Sequence, residues 1–288
     1  MGKGLAEGNR SGGGRPRAAL RVFALVLALA TAGGCAYLAE RQGELIFRPT
    51  KDVWRGYNGG QWDHVEHWIP VGGNGDKLHA WWAPGPRADS PALLYLHGAR
   101  WNLTGSVTRI DRWRRLGYSV LAIDYRGFGQ STPVSPTEAL AYEDADAAWD
   151  YLAKLAPDRP RFVVGHSLGG AIAAEVARRR PEARGLVLEA TFTSIKEMIS
   201  GTAWDFLPVS AILTQEFDTL AKIRDIRMPV IITHGTEDRI VPFEMGEKLY
   251  AAANAPKRFI RVEGGSHHNL SSVAFDEYRK VLQELLPR

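Results

Sequence analysis

After Pro91 the chain carries short apolar runs with no alternation, at Leu93–Leu96, Val120–Ile123, Phe162–Val164, Leu186–Leu188, Val230–Ile232 and Phe259–Val262. A strand covered by helices on both faces has no polar side, so runs of this kind predict parallel strands in a sheet buried on both faces. Helical stretches are expected between them, around Ile110–Leu116, Glu138–Leu155, Leu168–Arg180, Glu244–Asn254 and Val273–Leu286. The alternation predicts an α/β fold, a doubly wound and mostly parallel sheet with helices on both faces. Ahead of it, His64–Val71 and Lys77–Ala83 flank Gly72-Gly73-Asn74-Gly75-Asp76, whose turn chemistry predicts a hairpin. Trp68, Trp81 and Trp82 are expected to pack it.

One stretch departs from the pattern. Residues 191–227 are longer than a plain helical crossing and carry Phe192, Ile195, Met198, Trp204, Phe206, Leu207, Ile212 and Phe217. They read either as packed helix residues or as a short cap segment, an apolar lid over an acyl pocket.

Length and composition change the picture mainly at the N-terminus. With 288 residues and 45% apolar content the chain can bury one large core. A single catalytic domain is expected over residues 40–288, with residues 1–39 as a separate segment. That segment is Gly-rich and basic to Arg21, runs into the apolar stretch Val22 to Ala30, and then has small residues before Cys35, the order of an export signal. Ala32-Gly33-Gly34-Cys35 resembles a bacterial lipobox, which would make Cys35 a lipidation site, although Ala32 stands where Leu is usual. An uncleaved membrane anchor from Val22 to about Ala39 and ordinary signal cleavage are the alternatives. The lipoprotein and anchor readings both tether the protein to a membrane and leave the catalytic domain extracytoplasmic, on the periplasmic side, because basic flanks resist translocation.

The net charge of +4 is accounted for by Lys3, Arg10, Arg15, Arg17 and Arg21 against Glu7. No basic footprint is left for a nucleic-acid partner. The cluster Arg109, Arg112, Arg114 and Arg115 reads as a solvated helix face. Cys35 is the only cysteine, which rules out an intrachain disulfide and a cysteine-based metal site. The histidines are scattered without helical metal spacing, so no metal and no cofactor are expected.

The candidate chemistry lies after the apolar runs. Gly165-His166-Ser167-Leu168-Gly169 follows one run directly and opens a helix. A serine forced into such a turn holds its hydroxyl clear of the sheet, and the glycines let the backbone approach itself. A serine hydroxyl needs a base to take its proton and an acid to orient that base, and in this arrangement the chain order is Ser, acid, His. The loop His234-Gly235-Thr236-Glu237-Asp238 offers Asp238 as the acid, with Glu237 and Glu189 as rivals. The loop Glu263-Gly264-Gly265-Ser266-His267-His268 offers His267 as the base, with His268 beside it. His97-Gly98-Ala99-Arg100 closes the run Leu93–Leu96, so by position the backbone N–H groups of Ala99 and Leu168 would form the oxyanion hole. His97 itself reads as structural.

With these residues in place, the chain from about Gln42 to Leu286 resembles the α/β-hydrolases of the Bem46 and ABHD17-like group. Leu45-Ile46-Phe47-Arg48-Pro49, Leu96-His97-Gly98, Leu116-Gly117-Tyr118-Ser119-Val120, Asp124-Tyr125-Arg126-Gly127-Phe128-Gly129-Gln130-Ser131, Glu189-Ala190-Thr191-Phe192-Thr193-Ser194 and His234-Gly235-Thr236-Glu237-Asp238 carry the resemblance. Ala99 departs from it, since Asn commonly follows His-Gly there. The resemblance implies nucleophile, acid and base at Ser167, Asp238 and His267, and a serine hydrolase acting on a carboxylic ester or thioester. The substrate would be a small-molecule or acyl ester. A peptidase using the same residues, and a non-catalytic membrane-tethered binding protein, are the other readings.

Overall fold

The computed structural model describes residues 33–34, 36–37, 40–59, 63–200 and 213–286. Cys35, expected as a lipidation site, the apolar stretch from Val22, and Trp204, Phe206, Leu207 and Ile212 of the expected cap segment lie outside the described residues. Residues 1–41 and 42–288 form two units. In the first, the described residues are helical.

Eight strands form one sheet: β1 Val65–Val71, β2 Asp76–Ala83, β3 Ala92–Leu96, β4 Ser119–Ile123, β5 Arg161–His166, β6 Leu186–Glu189, β7 Val230–Gly235 and β8 Lys257–Val262. Their order across the sheet is β1-β2-β4-β3-β5-β6-β7-β8. β1 pairs antiparallel with β2, and β2 with β4; from β4 to β8 every pairing is parallel. The helices are α1 Val107–Arg115, α2 Glu138–Leu155, α3 Leu168–Arg179, α4 Ile195–Ile199, α5 Thr219–Ile223, α6 Phe243–Ala252, α7 Leu270–Val273 and α8 Phe275–Leu285.

The unalternating runs have the expected cause. Leu94, Leu121, Val163, Leu186 and Ile232 face one core layer with α2, α3 and α6, whereas their neighbours Leu93, Val120, Phe162, Val187 and Ile231 face a second layer with α1 and α8. Each strand position alternates between two buried faces. Burying each of the fully enclosed Leu and Ile side chains contributes about 1.5–3 kcal/mol. The block Asp124 to Ser131 is tied to α2 through Arg126, which is almost fully buried and donates from Nε to Asp144 Oδ1 at 2.6 Å and from its backbone N to Asp144 Oδ2 at 2.8 Å.

Strand order also locates the site. The chain leaves β3 through α1 toward β4 on one side, and leaves β5 through α3 toward β6 on the other. Connections that diverge from adjacent parallel strands open a crevice beyond their carboxyl ends, where ligands bind in sheets of this class.

Several expectations need correction. Trp81 is buried, but Trp68 on the edge strand is 41% exposed, with Lys77 Nζ 4.7 Å from its ring centroid. The helix expected around Val273–Leu286 is α8, which starts two residues later at Phe275, Val273 being the last residue of the separate α7. The arginines of α1 are not a uniformly solvated face: Arg115 is exposed, whereas Arg109 and Arg112 are half-buried and reach toward the β8–α7 loop. In the cap region, Phe217 is fully buried against Phe47 and Tyr142, and Phe192, Ile195 and Met198 pack on the same core. These four are core residues. Among the described residues, no helix is long and apolar enough to cross a membrane.

Candidate active site

Ser167 is the single residue between the end of β5 and the start of α3, with φ 55° and ψ −122°. A non-glycine residue in the left-handed region costs on the order of 1–3 kcal/mol, and the surroundings hold it there. Its backbone N donates to Glu189 O at 2.8 Å, while its carbonyl accepts from Gly170 N at 2.9 Å and from Thr191 Oγ1 at 2.7 Å. The flanking glycines are required by close approach. A Cβ on Gly165 would lie 2.1 Å from Gly169 O, and one on Gly169 would lie 2.1 Å from Leu96 O. Ser167 is partly exposed, at the crevice between β3 and β5.

Asp238 follows β7 and has a fully buried carboxylate. Oδ1 accepts from the backbone N of Ile240 at 2.8 Å and of Val241 at 2.9 Å, and Oδ2 accepts from His267 Nδ1 at 2.7 Å. His234 Nε2 stands 3.4 Å from the same Oδ2 and donates to Val241 O at 3.0 Å. Burial opposes ionisation of this carboxyl, but the contacts from His234 and His267, the charge of His267 and the Val241 N–H outweigh it. The carboxyl is held well below the usual carboxylate range.

His267 is buried beyond β8, its ring centroid 4.8 Å from that of His166, the residue preceding Ser167. His267 thus meets Asp238 on one side and His166, the residue before Ser167, on the other, beyond the carboxyl ends of the strands. The Asp238–His267 hydrogen bond is formed, whereas Ser167 Oγ is hydrogen-bonded to no described residue. Hydrogen bonds of this type are often loose in a site without substrate. The rivals are differently placed. Glu237 and His268 are exposed, and the buried Glu189 carboxyl accepts from Tyr278 Oη at 3.0 Å, with its pKa raised by burial.

Beside Ser167, a Cβ built on Gly98 would lie 3.1 Å from Ser167 Cβ, so the loop after β3 borders the nucleophile position. His97 Nδ1 donates to Gly98 O at 2.7 Å. Because the peptide is planar and trans, fixing that carbonyl toward His97 turns the Ala99 N–H the opposite way. Leu168 supplies the first N–H of α3, which has no partner within its own helix.

Sequence reading gave no role to three residues that touch this site. His234 supports Asp238. His166 Nε2 lies 2.8 Å from His267 O, and Arg109 Nη2 lies 3.1 Å from that nitrogen and 3.3 Å from His268 O. One signal was present: Arg109 and Arg112 each precede by one position an apolar residue, Ile110 and Trp113, of the buried stripe on α1. Among the described residues no three His, Cys, Asp or Glu side chains are grouped to hold a metal ion.

A family model described as serine aminopeptidase, S33, matches residues 88–220. An uncharacterized protein of Mycobacterium tuberculosis is 31% identical over 280 residues, covering 92% of this chain and 95% of that protein. Lysophosphatidylserine lipase ABHD12 of Rattus norvegicus is 32% identical over 204 residues, covering 64% of this chain and 50% of that protein, so the chain spans half the length of that relative. Among solved structures, a Pyrococcus furiosus esterase superposes with a TM-score of 0.64 at 18% identity, covering 83% of this chain and 96% of its own. The esterase domain of a Rhodothermus marinus protein superposes with a TM-score of 0.55 at 21% identity, covering 78% and 96%. At these identities the structures establish the fold. Together with the family model and the relatives, they place this chain in the α/β-hydrolase superfamily.

Proposed function

We propose that the protein hydrolyses a carboxylic ester or thioester through an acyl-enzyme, with Ser167 as nucleophile, His267 as base and Asp238 as its orienting acid. The observation that carries the reading is the conjunction of Ser167 at φ 55° with an imidazole packed on His166, the preceding residue, whose Nδ1 is tied to a buried carboxylate. Asp238 holds the His267 proton on Nδ1 and leaves Nε2 free to accept the Ser167 proton as Oγ attacks the acyl carbon. The oxyanion is met by the N–H groups of Ala99 and Leu168, which are fixed in place before the reaction. Collapse expels the alcohol or thiol, which takes the proton from His267 Nε2. Water then gives a proton to the same nitrogen and attacks the acyl-serine; the acid departs and Ser167 recovers its hydrogen. No cofactor enters the cycle.

The lipase named among the relatives and the esterase fold neighbours favour an ester of an acyl chain as substrate. Hydrolysis of p-nitrophenyl esters from acetate to palmitate, and of matched thioesters, is expected in the wild type and absent in Ser167→Ala. A flat response to chain length would count against a shaped acyl pocket. The family description also supports a second reading, amide hydrolysis by the same residues. Turnover of aminoacyl p-nitroanilides faster than of esters would establish it. Ser167-dependent turnover of any of these substrates would exclude a non-catalytic scaffold.

The order of basic, apolar and small residues before Cys35 supports a membrane-tethered protein with an extracytoplasmic domain. Full-length protein should fractionate with membranes in a bacterial host, and Cys35→Ser should lose incorporated palmitate if the tether is lipid. Recovery in the soluble cytoplasmic fraction would contradict the tether.

A further inference from the structure

We propose that Arg109 and His166 are positioning residues that hold the histidine loop, so that the His267 imidazole stands between Asp238 and Ser167; this rests on the triad reading given above. The loop joining β8 to α7 carries His267 with no regular secondary structure of its own to fix it. Its side chain is held at Nδ1 by Asp238. That single bond leaves the ring free to swing with the backbone, so Nε2 is aimed only if the backbone of residues 267–268 is fixed as well.

The two carbonyls that fix it point at named donors. His267 O is 2.8 Å from His166 Nε2, so the hydrogen-bond pattern puts the His166 proton on that nitrogen. His268 O accepts from Arg109 Nη2 at 3.3 Å. One turn further along α1, Arg112 Nη1 donates to Ser271 Oγ at 2.9 Å, which ties down α7, the helix that follows the loop. His166 is the last residue of β5, directly before Ser167, so one rigid strand end sets both the nucleophile and the carbonyl of the base.

The electrostatics agree with the geometry. Burial, then the Arg109 charge and the neighbouring His267, hold the pKa of His166 well below the ordinary histidine value. A neutral ring has one N–H, and here it is committed to His267 O. The guanidinium of Arg109 has no carboxylate within ion-pair distance among the described residues; it donates to the His268 carbonyl, and with the His166 Nε2 proton on His267 O its 3.1 Å approach to that nitrogen is a contact and not a hydrogen bond. Arg109 meets the loop at its backbone, and His166 meets the His267 ring only by packing, with its hydrogen bond going to the backbone carbonyl.

The test measures steady-state hydrolysis of p-nitrophenyl acetate, with Tm, for wild type, Ser167→Ala, Arg109→Ala, His166→Phe and His166→Gln. A loop released by a fraction of an ångström misaligns the base, so Arg109→Ala and His166→Phe are expected to lower kcat by about 100-fold with KM little changed. His166→Gln, whose amide can donate to His267 O, should recover much of the loss. Millimolar guanidinium should raise kcat in Arg109→Ala and not in Ser167→Ala, an effect that loss of folded protein would not give. Arg109→Ala at wild-type kcat, or a loss that tracks Tm alone with neither form of rescue, would overturn the proposal while leaving Ser167-dependent hydrolysis intact. Absence of Ser167-dependent hydrolysis in the wild type would overturn the triad reading, and this proposal with it.

Discussion

Replacing His267 by alanine is expected to lower kcat for ester hydrolysis by about 10⁶-fold, the scale seen when a triad nucleophile or base is removed alone. His268→Ala should stay close to wild type. The contrast follows from where the two rings stand. His267 is buried, with Nδ1 2.7 Å from the Asp238 carboxylate, whereas His268 is exposed and its side chain contributes only ring contacts to His166 and His267. Both variants keep the backbone carbonyls that His166 and Arg109 hold, so the comparison isolates the side chain. Steady-state kinetics on p-nitrophenyl acetate decides it; a large loss in His268→Ala with little change in His267→Ala would reverse the assignment of the base.

The second large effect is expected for Asp238→Asn, at about 10⁴-fold in kcat with little change in KM. The substitution preserves shape, and the Asn Oδ1 can still accept from the Ile240 and Val241 N–H groups. Its NH₂ then faces His267 Nδ1, which can pair with it only by giving up its proton. The neutral ring moves that proton to Nε2, where it blocks acceptance from Ser167. A buried carboxylate held well below the usual range by its donors is also the group that stabilises the imidazolium formed during attack. Glu237→Gln serves as control, since that side chain is exposed. Near-wild-type kcat in Asp238→Asn would remove Asp238 from the proposed mechanism.

Much of this architecture could be read from the chain because the sheet is buried on both faces. Runs such as Leu93–Leu96 and Val230–Ile232 are apolar throughout, and each lies within a strand, the first ending β3 and the second opening β7. Gly165 and Gly169 were legible for a related reason, since only a turn with backbone in close contact demands both. The edge of the sheet was harder to read. Trp68 has the residue type of a packing residue, yet β1 is the outermost strand and its ring lies against Lys77 and His79 at the surface. The inward arginines escaped because charge alone marks a side chain as solvated, while a long guanidinium beside an apolar stripe can reach backbone carbonyls across a loop. Nothing local to Arg109 announces His268 O, which lies 159 residues away along the chain. His166 was hidden differently: beside a nucleophile its role depends on which loop covers it, and that is a property of the fold.

The central claim is that Ser167 is a nucleophile activated by His267. Incubating the purified protein with a fluorophosphonate serine probe tests it most directly. The account predicts stoichiometric, covalent labelling of the wild type at Ser167, slowed strongly in His267→Ala and absent in Ser167→Ala. Equal labelling of wild type and Ser167→Ala would contradict it.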